Sequence, residues 1–170
     1  MRLILVIVIF GSSLISAQNK DFSLEEIMSG TFFPEGLTEL RSMADGEFFT
    51  VIQSDQNGYN NTLAQYNYAT GDFESALFRC GDFDELTRIV DYALSSDEKH
   101  ILIAAELKAV YRRSTLGRYY VYNRADHTLV LLSKDWIQEP VFSPDGTKVA
   151  FVKENDIYYH DLLLEETIRA

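Results

Sequence analysis

The chain has 170 residues, enough for one domain of ordinary size, and its 46% hydrophobic and 13% aromatic content excludes disorder by composition. A net charge of −11 argues against a nucleic-acid phosphate partner, which needs a basic face. Ten tyrosines and eleven phenylalanines against three prolines tilt the fold toward sheet.

In chain order, residues 1–17 read as a signal peptide. Arg2 is the positive start, Leu3 to Phe10 is an unbroken apolar run, and Gly11 to Ala17 is small and mixed, with cleavage after Ala17. The apolar run is short for crossing about 30 Å of hydrocarbon. The expectation is therefore a cleaved leader and an exported mature chain, periplasmic or secreted, rather than an N-terminal membrane anchor. Residues 18–36 hold a short helix and a link. Ser23-Leu24-Glu25-Glu26 has capping-box spacing, with Ser23 as N-cap and Glu26 at N3, and Gly30 is the stop in a helix over Phe22 to Gly30. Thr31 to Gly36 is irregular.

From there the chain repeats. Val141 to Val152 reads V-F-S-P-D-G-T-K-V-A-F-V, a strand, a tight Ser143-Pro144-Asp145-Gly146 turn and a second strand. Weaker copies occur at Asp45-Gly46 and Asp97-Glu98, at intervals of about 50 residues, the length of a four-stranded propeller blade. Second strands are expected at Glu47 to Gln53, His100 to Ala105 and Lys148 to Lys153. Tyrosine-rich third strands are expected at Leu63 to Tyr68, Tyr119 to Asn123 and Asp156 to Asp161. Fourth strands follow at Phe73 to Phe78 and Thr128 to Leu132.

The resulting expectation is an all-β fold, a β-propeller fragment of about three four-stranded antiparallel blades at residues 37–80, 86–133 and 138–170. Glu165 to Ala170 is too short for a turn and a full strand, so the third blade is expected to be incomplete and the chain to be the beginning of a longer protein or the product of a truncated reading frame. Turns between strands one and two, and three and four, fall on one propeller face. The connections between strands two and three fall on the other. In the second blade that connection, Glu106 to Arg118, is long and reads as a loop, whereas the third blade's, at Glu154-Asn155, is short. A connection lengthened in one blade only is where function tends to sit.

Tyr111-Arg112-Arg113-Ser114 is the chemically interesting cluster. Guanidinium offers a planar fork of donors suited to a carbonyl or carboxylate, and a solvated or salt-bridged turn is the competing reading. Asp82, Asp84, Glu85, Asp97 and Glu98 read as solvated turn residues. Cys80, the lone cysteine, reads as a small buried apolar residue. His100, His127 and His160 lack metal-like spacing. There is no G-x-S-x-G elbow, phosphate loop or zinc signature, and no cofactor is expected. Asn60-Asn61-Thr62 matches a glycosylation sequon.

Leu24-Glu25-Glu26-Ile27 with Gly30, Met43 to Thr50, Tyr92-Ala93-Leu94-Ser95, Tyr111 to Ser114, Tyr119 to Tyr122 and Phe142 to Gly146 together resemble the dipeptidyl peptidase IV group of the prolyl oligopeptidase family of serine peptidases. The resemblance implies an N-terminal eight-bladed propeller joined to a C-terminal α/β-hydrolase domain. It also implies release of N-terminal dipeptides with proline or alanine second, and often a homodimer. Arg112 matches the propeller arginine that contacts the substrate's peptide carbonyl; Arg113 takes no role. The family's paired glutamates, which hold the substrate amino group, are matched neither by Glu25-Glu26 nor by Glu165-Glu166. The resemblance implies a triad in a hydrolase domain beyond Ala170, so this chain alone is expected to be inactive. The other functional reading is a non-catalytic exported propeller that acts as a binding module.

Overall fold

A computed structural model of the chain describes residues 22–32, 40–54, 61–112 and 114–170. The signal-peptide reading of residues 1–17 and the positions Asn60 and Arg113 lie outside the described residues. Two compact units divide at Gly36. In the first, helix α1 (Leu24–Met28) is capped as its sequence dictates: Ser23 Oγ accepts from the Glu26 amide at 3.1 Å and the Glu26 carboxylate accepts from the Ser23 amide at 3.2 Å. The helix buries none of its residues and ends before Gly30, whose φ is 79°. Phe22 and Phe32 meet edge to face at 4.9 Å. Among the described residues no helix is long and apolar enough to cross a membrane.

The second unit, Leu37–Ala170, is three antiparallel four-stranded sheets. The first holds β1 (Leu40–Ser42), β2 (Phe48–Gln53), β3 (Thr62–Asn67) and β4 (Phe73–Arg79). The second holds β5 (Asp91–Leu94), β6 (His100–Tyr111), β7 (Ser114–Asn123) and β8 (Thr128–Leu131). The third holds β9 (Gln138–Phe142), β10 (Lys148–Lys153), β11 (Asp156–Asp161) and β12 (Glu166–Arg169). Strands run in sequence order within every sheet, and the three expected second strands lie in three separate sheets, as blades require.

The blades stack through two cores. β6 begins I-L-I-A-A, a continuous apolar run suited to a strand covered on both faces. Ile101, Ile103 and Ala105 join Leu63, Phe78, Ile89, Tyr92 and Tyr122 in the core toward the first blade. Leu102 joins Val121, Leu132, Ile137, Val149 and Phe151 in the core toward the third. Thr50 is fully buried but satisfied, its hydroxyl 2.7 Å from the Tyr92 hydroxyl.

One blade face is knitted by the turns. Asp45, Asp97 and Asp145 each use Oδ1 to accept a backbone N–H two residues on, from Glu47, Lys99 and Thr147. The next residue has positive φ in all three: Gly46 at 72°, Glu98 at 57° and Gly146 at 70°. Glu98 is the one without glycine's freedom there, and its carboxylate accepts the Ala44 N–H of the neighbouring blade at 2.6 Å. Ser96 Oγ donates to the Pro144 carbonyl at 2.8 Å, tying the second blade's turn to the third's. The turns between strands three and four sit beside these, since Tyr68, Arg124 and Leu162 donate to the carbonyls of Glu47, Lys99 and Thr147.

Two expectations need correction. The third blade is complete: Tyr158 to Asp161 pair with Arg169 to Glu166. Four residues are enough for a strand because the turn is very tight. Asp161 Oδ1 accepts the N–H groups of Leu163 and Leu164, and Glu165 takes a positive φ of 54°. The stretch 106–118 is no loop either. It continues the ladder, from Glu106↔Arg118 through Lys108↔Leu116 to Tyr111↔Ser114, as a β-hairpin arm. Polar and charged side chains there signalled a loop, yet a ribbon that pairs its own backbone can leave both faces in water.

Candidate functional site

The arm carries the cluster singled out by sequence. β6 beyond Ala105 is exposed at every residue through Tyr111, which is 79% exposed at the tip. Tyr111 pairs with Ser114, so Arg112 stands in the connection at the very end of the hairpin. Arg112 is exposed and makes no hydrogen bond or ion pair with another described residue. Its five-donor fork is therefore open to a ligand oxygen. The third blade's counterpart, Glu154-Asn155, has φ of 53° and 67°, the signature of a two-residue hairpin turn, and projects nothing comparable.

At the arm's root lies a crevice of about 240 Å³, lined among others by Asp91, Tyr92, Leu107, Thr115, Tyr119 and Glu139. Burial pushes the Tyr119 hydroxyl up, Thr115 as a hydrogen-bond partner pulls it down, and the Asp91 and Glu139 charges add to the rise. Asp91 is paired with Arg41 of the first blade at 2.5 Å, and Arg41 also lies over the Tyr92 ring at 4.4 Å. Glu139 is exposed with φ at 49°. Sequence reasoning missed this acid pair. The repeat itself was the available signal: Asp91 and Glu139 precede Ser95 and Ser143 by the same interval, one blade apart.

The remaining candidates fall where structure rather than chemistry uses them. Asp97 is drawn down to about 2 by the Ser95 hydroxyl and the Lys99 amide, and Asp145 to about 2 by the Ser143 hydroxyl and Thr147. Both are turn residues, as expected, but hydrogen-bonded rather than merely solvated. Asp82, Asp84 and Glu85 are exposed. Cys80 is fully buried and free, and burial pushes its thiol up to about 11, far from a reactive thiolate.

The histidines are distant in sequence, but the fold brings His100 and His160 to one crevice of about 90 Å³ with Asp126 and Glu165. His160 is buried against Thr167, and burial lowers its pKa. Among the described residues no three groups are arranged to hold a metal ion. Glu25 and Glu26 sit in α1, whereas Glu165 ends the β11–β12 turn and Glu166 opens β12, on the face opposite the arm.

Residues 95–170 match the family described as the dipeptidyl peptidase IV N-terminal region. Dipeptidyl aminopeptidase B of Saccharomyces cerevisiae is 30% identical over 76 residues, 45% of this chain and 9% of that protein. Prolyl endopeptidase FAP of Mus musculus is 26% identical over 144 residues, 80% of this chain and 17% of that protein. The crystal structure of Porphyromonas gingivalis dipeptidyl peptidase 4 superposes with a TM-score of 0.72 at 31% identity, covering 89% of this chain and 22% of that one. The chain thus spans less than a quarter of the length of each of these relatives. The matches bear out the resemblance to the dipeptidyl peptidase IV group.

Proposed function

We propose that this chain, a β-propeller portion of the dipeptidyl peptidase IV group, serves an exported serine dipeptidyl peptidase that removes N-terminal dipeptides with proline or alanine second. The observation that carries the reading is the arm: a paired ribbon that projects Arg112, free of described partners, from the blade face opposite the tied turns. A peptide carbonyl accepting from that guanidinium is held in register by a charge-assisted hydrogen bond. Fixing the substrate's amino end in this way supplies orientation to a reaction carried out elsewhere. The chemistry is acyl transfer to a serine followed by hydrolysis, on an α/β-hydrolase domain that these 170 residues do not supply. The propeller restricts access to that domain. Export rests on the Arg2 and Leu3 to Phe10 pattern, and a homodimer of the full-length protein rests on the resemblance.

The full-length protein is expected to release Gly-Pro from a chromogenic reporter, and the 170-residue chain alone is expected to release none. A full-length protein that hydrolyses no Pro- or Ala-second reporter would leave the non-catalytic binding module as the reading. Turnover by the pure 170-residue chain would contradict the division of labour between propeller and hydrolase.

A further inference from the structure

We propose that the arm is held by an inter-blade clamp, the bridge between Gly117 and Ile137 flanked by Trp136, and that this clamp positions Arg112. The proposal rests on the substrate reading of Arg112. A two-stranded ribbon is marginal in water on its own, and no residue of the distal half of β6 is buried. The blade's fourth strand does not support the arm, because β8 pairs only with Tyr120 to Asn123 of β7.

The edge that β8 leaves open is taken by the segment linking the second blade to the third. Leu132 donates its N–H to the Tyr119 carbonyl at 3.0 Å. The chain then turns and comes back to Gly117. The Gly117 N–H donates to the Ile137 carbonyl at 2.8 Å, and the Ile137 N–H to the Gly117 carbonyl at 3.1 Å. Ile137 is 1% exposed, its side chain locked in the core between the second and third blades. The arm's root is thereby bonded to a residue that cannot move without disturbing that core.

Position 117 is built for close approach. A Cβ there would lie 2.4 Å from the Tyr119 ring and 2.8 Å from Leu107 Cδ2, so both side chains close over the glycine. Arg118 lies 5.8 Å over the Trp136 ring, adding a second tie one residue along. From Gly117 to the last paired rung, Tyr111↔Ser114, the ribbon runs three residues of β7, roughly 10 Å at about 3.4 Å per residue, and Arg112 stands just beyond it. A rotation at the root is levered into a displacement at the tip, where about 1 Å of misplacement can cost about a hundredfold in rate.

The test uses the full-length protein with Trp136→Ala, Trp136→Phe and Gly117→Ala, each with and without Arg112→Ala. Reporter kcat and KM are measured beside amide hydrogen exchange at Gly117 and Ile137. Trp136→Ala is expected to lower kcat/KM about fivefold and to speed exchange at both amides, with Trp136→Phe restoring most of each. Gly117→Ala acts in the same direction. In the Arg112→Ala background the activity effects vanish, because the clamp acts through Arg112. Equal losses in both backgrounds would overturn the proposal, as would an unchanged kcat/KM in Trp136→Ala beside an impaired Arg112→Ala, which leaves the reading of Arg112 intact. Should Arg112→Ala itself be silent, the substrate reading fails and exchange alone decides: acceleration by Trp136→Ala upholds the clamp, and unchanged exchange overturns it.

Discussion

Strand β6 is two different objects joined at Ala105. Ile101 to Ala105 is apolar and buried, and its ladder partners Tyr119 to Tyr122 lie between the neighbouring blades. Glu106 to Tyr111 goes on pairing with β7 and is exposed at every residue. Pairing resumes across the boundary after a shift in register at Ala105, so pairing alone does not distinguish buried scaffold from exposed arm. Burial does. The proximal half holds the blades together, and the distal half presents a cation to solvent.

That contrast can be broken at either end. The largest effect belongs to the proximal half. Ile103→Ala deletes side-chain atoms from a residue with no exposed surface, and should cost about 2–5 kcal/mol in urea unfolding. A cost within 0.5 kcal/mol, the range of ordinary surface changes, would mean the blades do not rely on this core. Next comes the support behind it. Asn61 is 2% exposed, and its Oδ1 accepts the Ile89 N–H at 2.7 Å. Asn61→Ala strands that buried donor and should cost about 1–3 kcal/mol by the same measurement.

A smaller effect concerns the tied turns. Asp97 and Asp145 have folded-state pKa values near 2, below the ordinary 3.8. A depressed carboxylate stabilises the fold above its unfolded pKa, and that contribution fades as pH falls from about 4 through about 2. The melting temperature should therefore drop across that window, and Asp145→Asn should flatten the drop. An identical slope in the variant would show that the turn carboxylate does not carry the acid sensitivity.

Most of the scaffold was legible because each blade repeats one piece of physics. The Asp-plus-positive-φ turn and the tyrosine-bearing third strand recur at a fixed period, and they placed the second and third strands within one or two residues in the first and third blades. The capping box at Ser23 and Glu26 was legible because it is local. The arm was misread because Glu106 and Lys108 break the apolar pattern that marks a buried strand, while pairing needs only backbone. β12 was missed because a four-residue strand after a tight turn leaves almost no periodicity to read. Arg112 was singled out by residue type and resemblance, and the blade repeat could have pointed to Asp91 and Glu139, whereas Gly117 and Ile137 are joined by a bridge that no local pattern encodes.

The central claim is that the two halves of β6 divide stability from function, and Arg112→Ala tests it most directly. In the full-length protein, kcat/KM on a dipeptide reporter should fall by about 2 kcal/mol or more, the scale of a lost charged hydrogen bond. The free energy of unfolding should stay within about 0.5 kcal/mol, as for an exposed side chain without partners among the described residues. An unchanged kcat/KM would return Arg112 to a solvated hairpin tip and contradict the account.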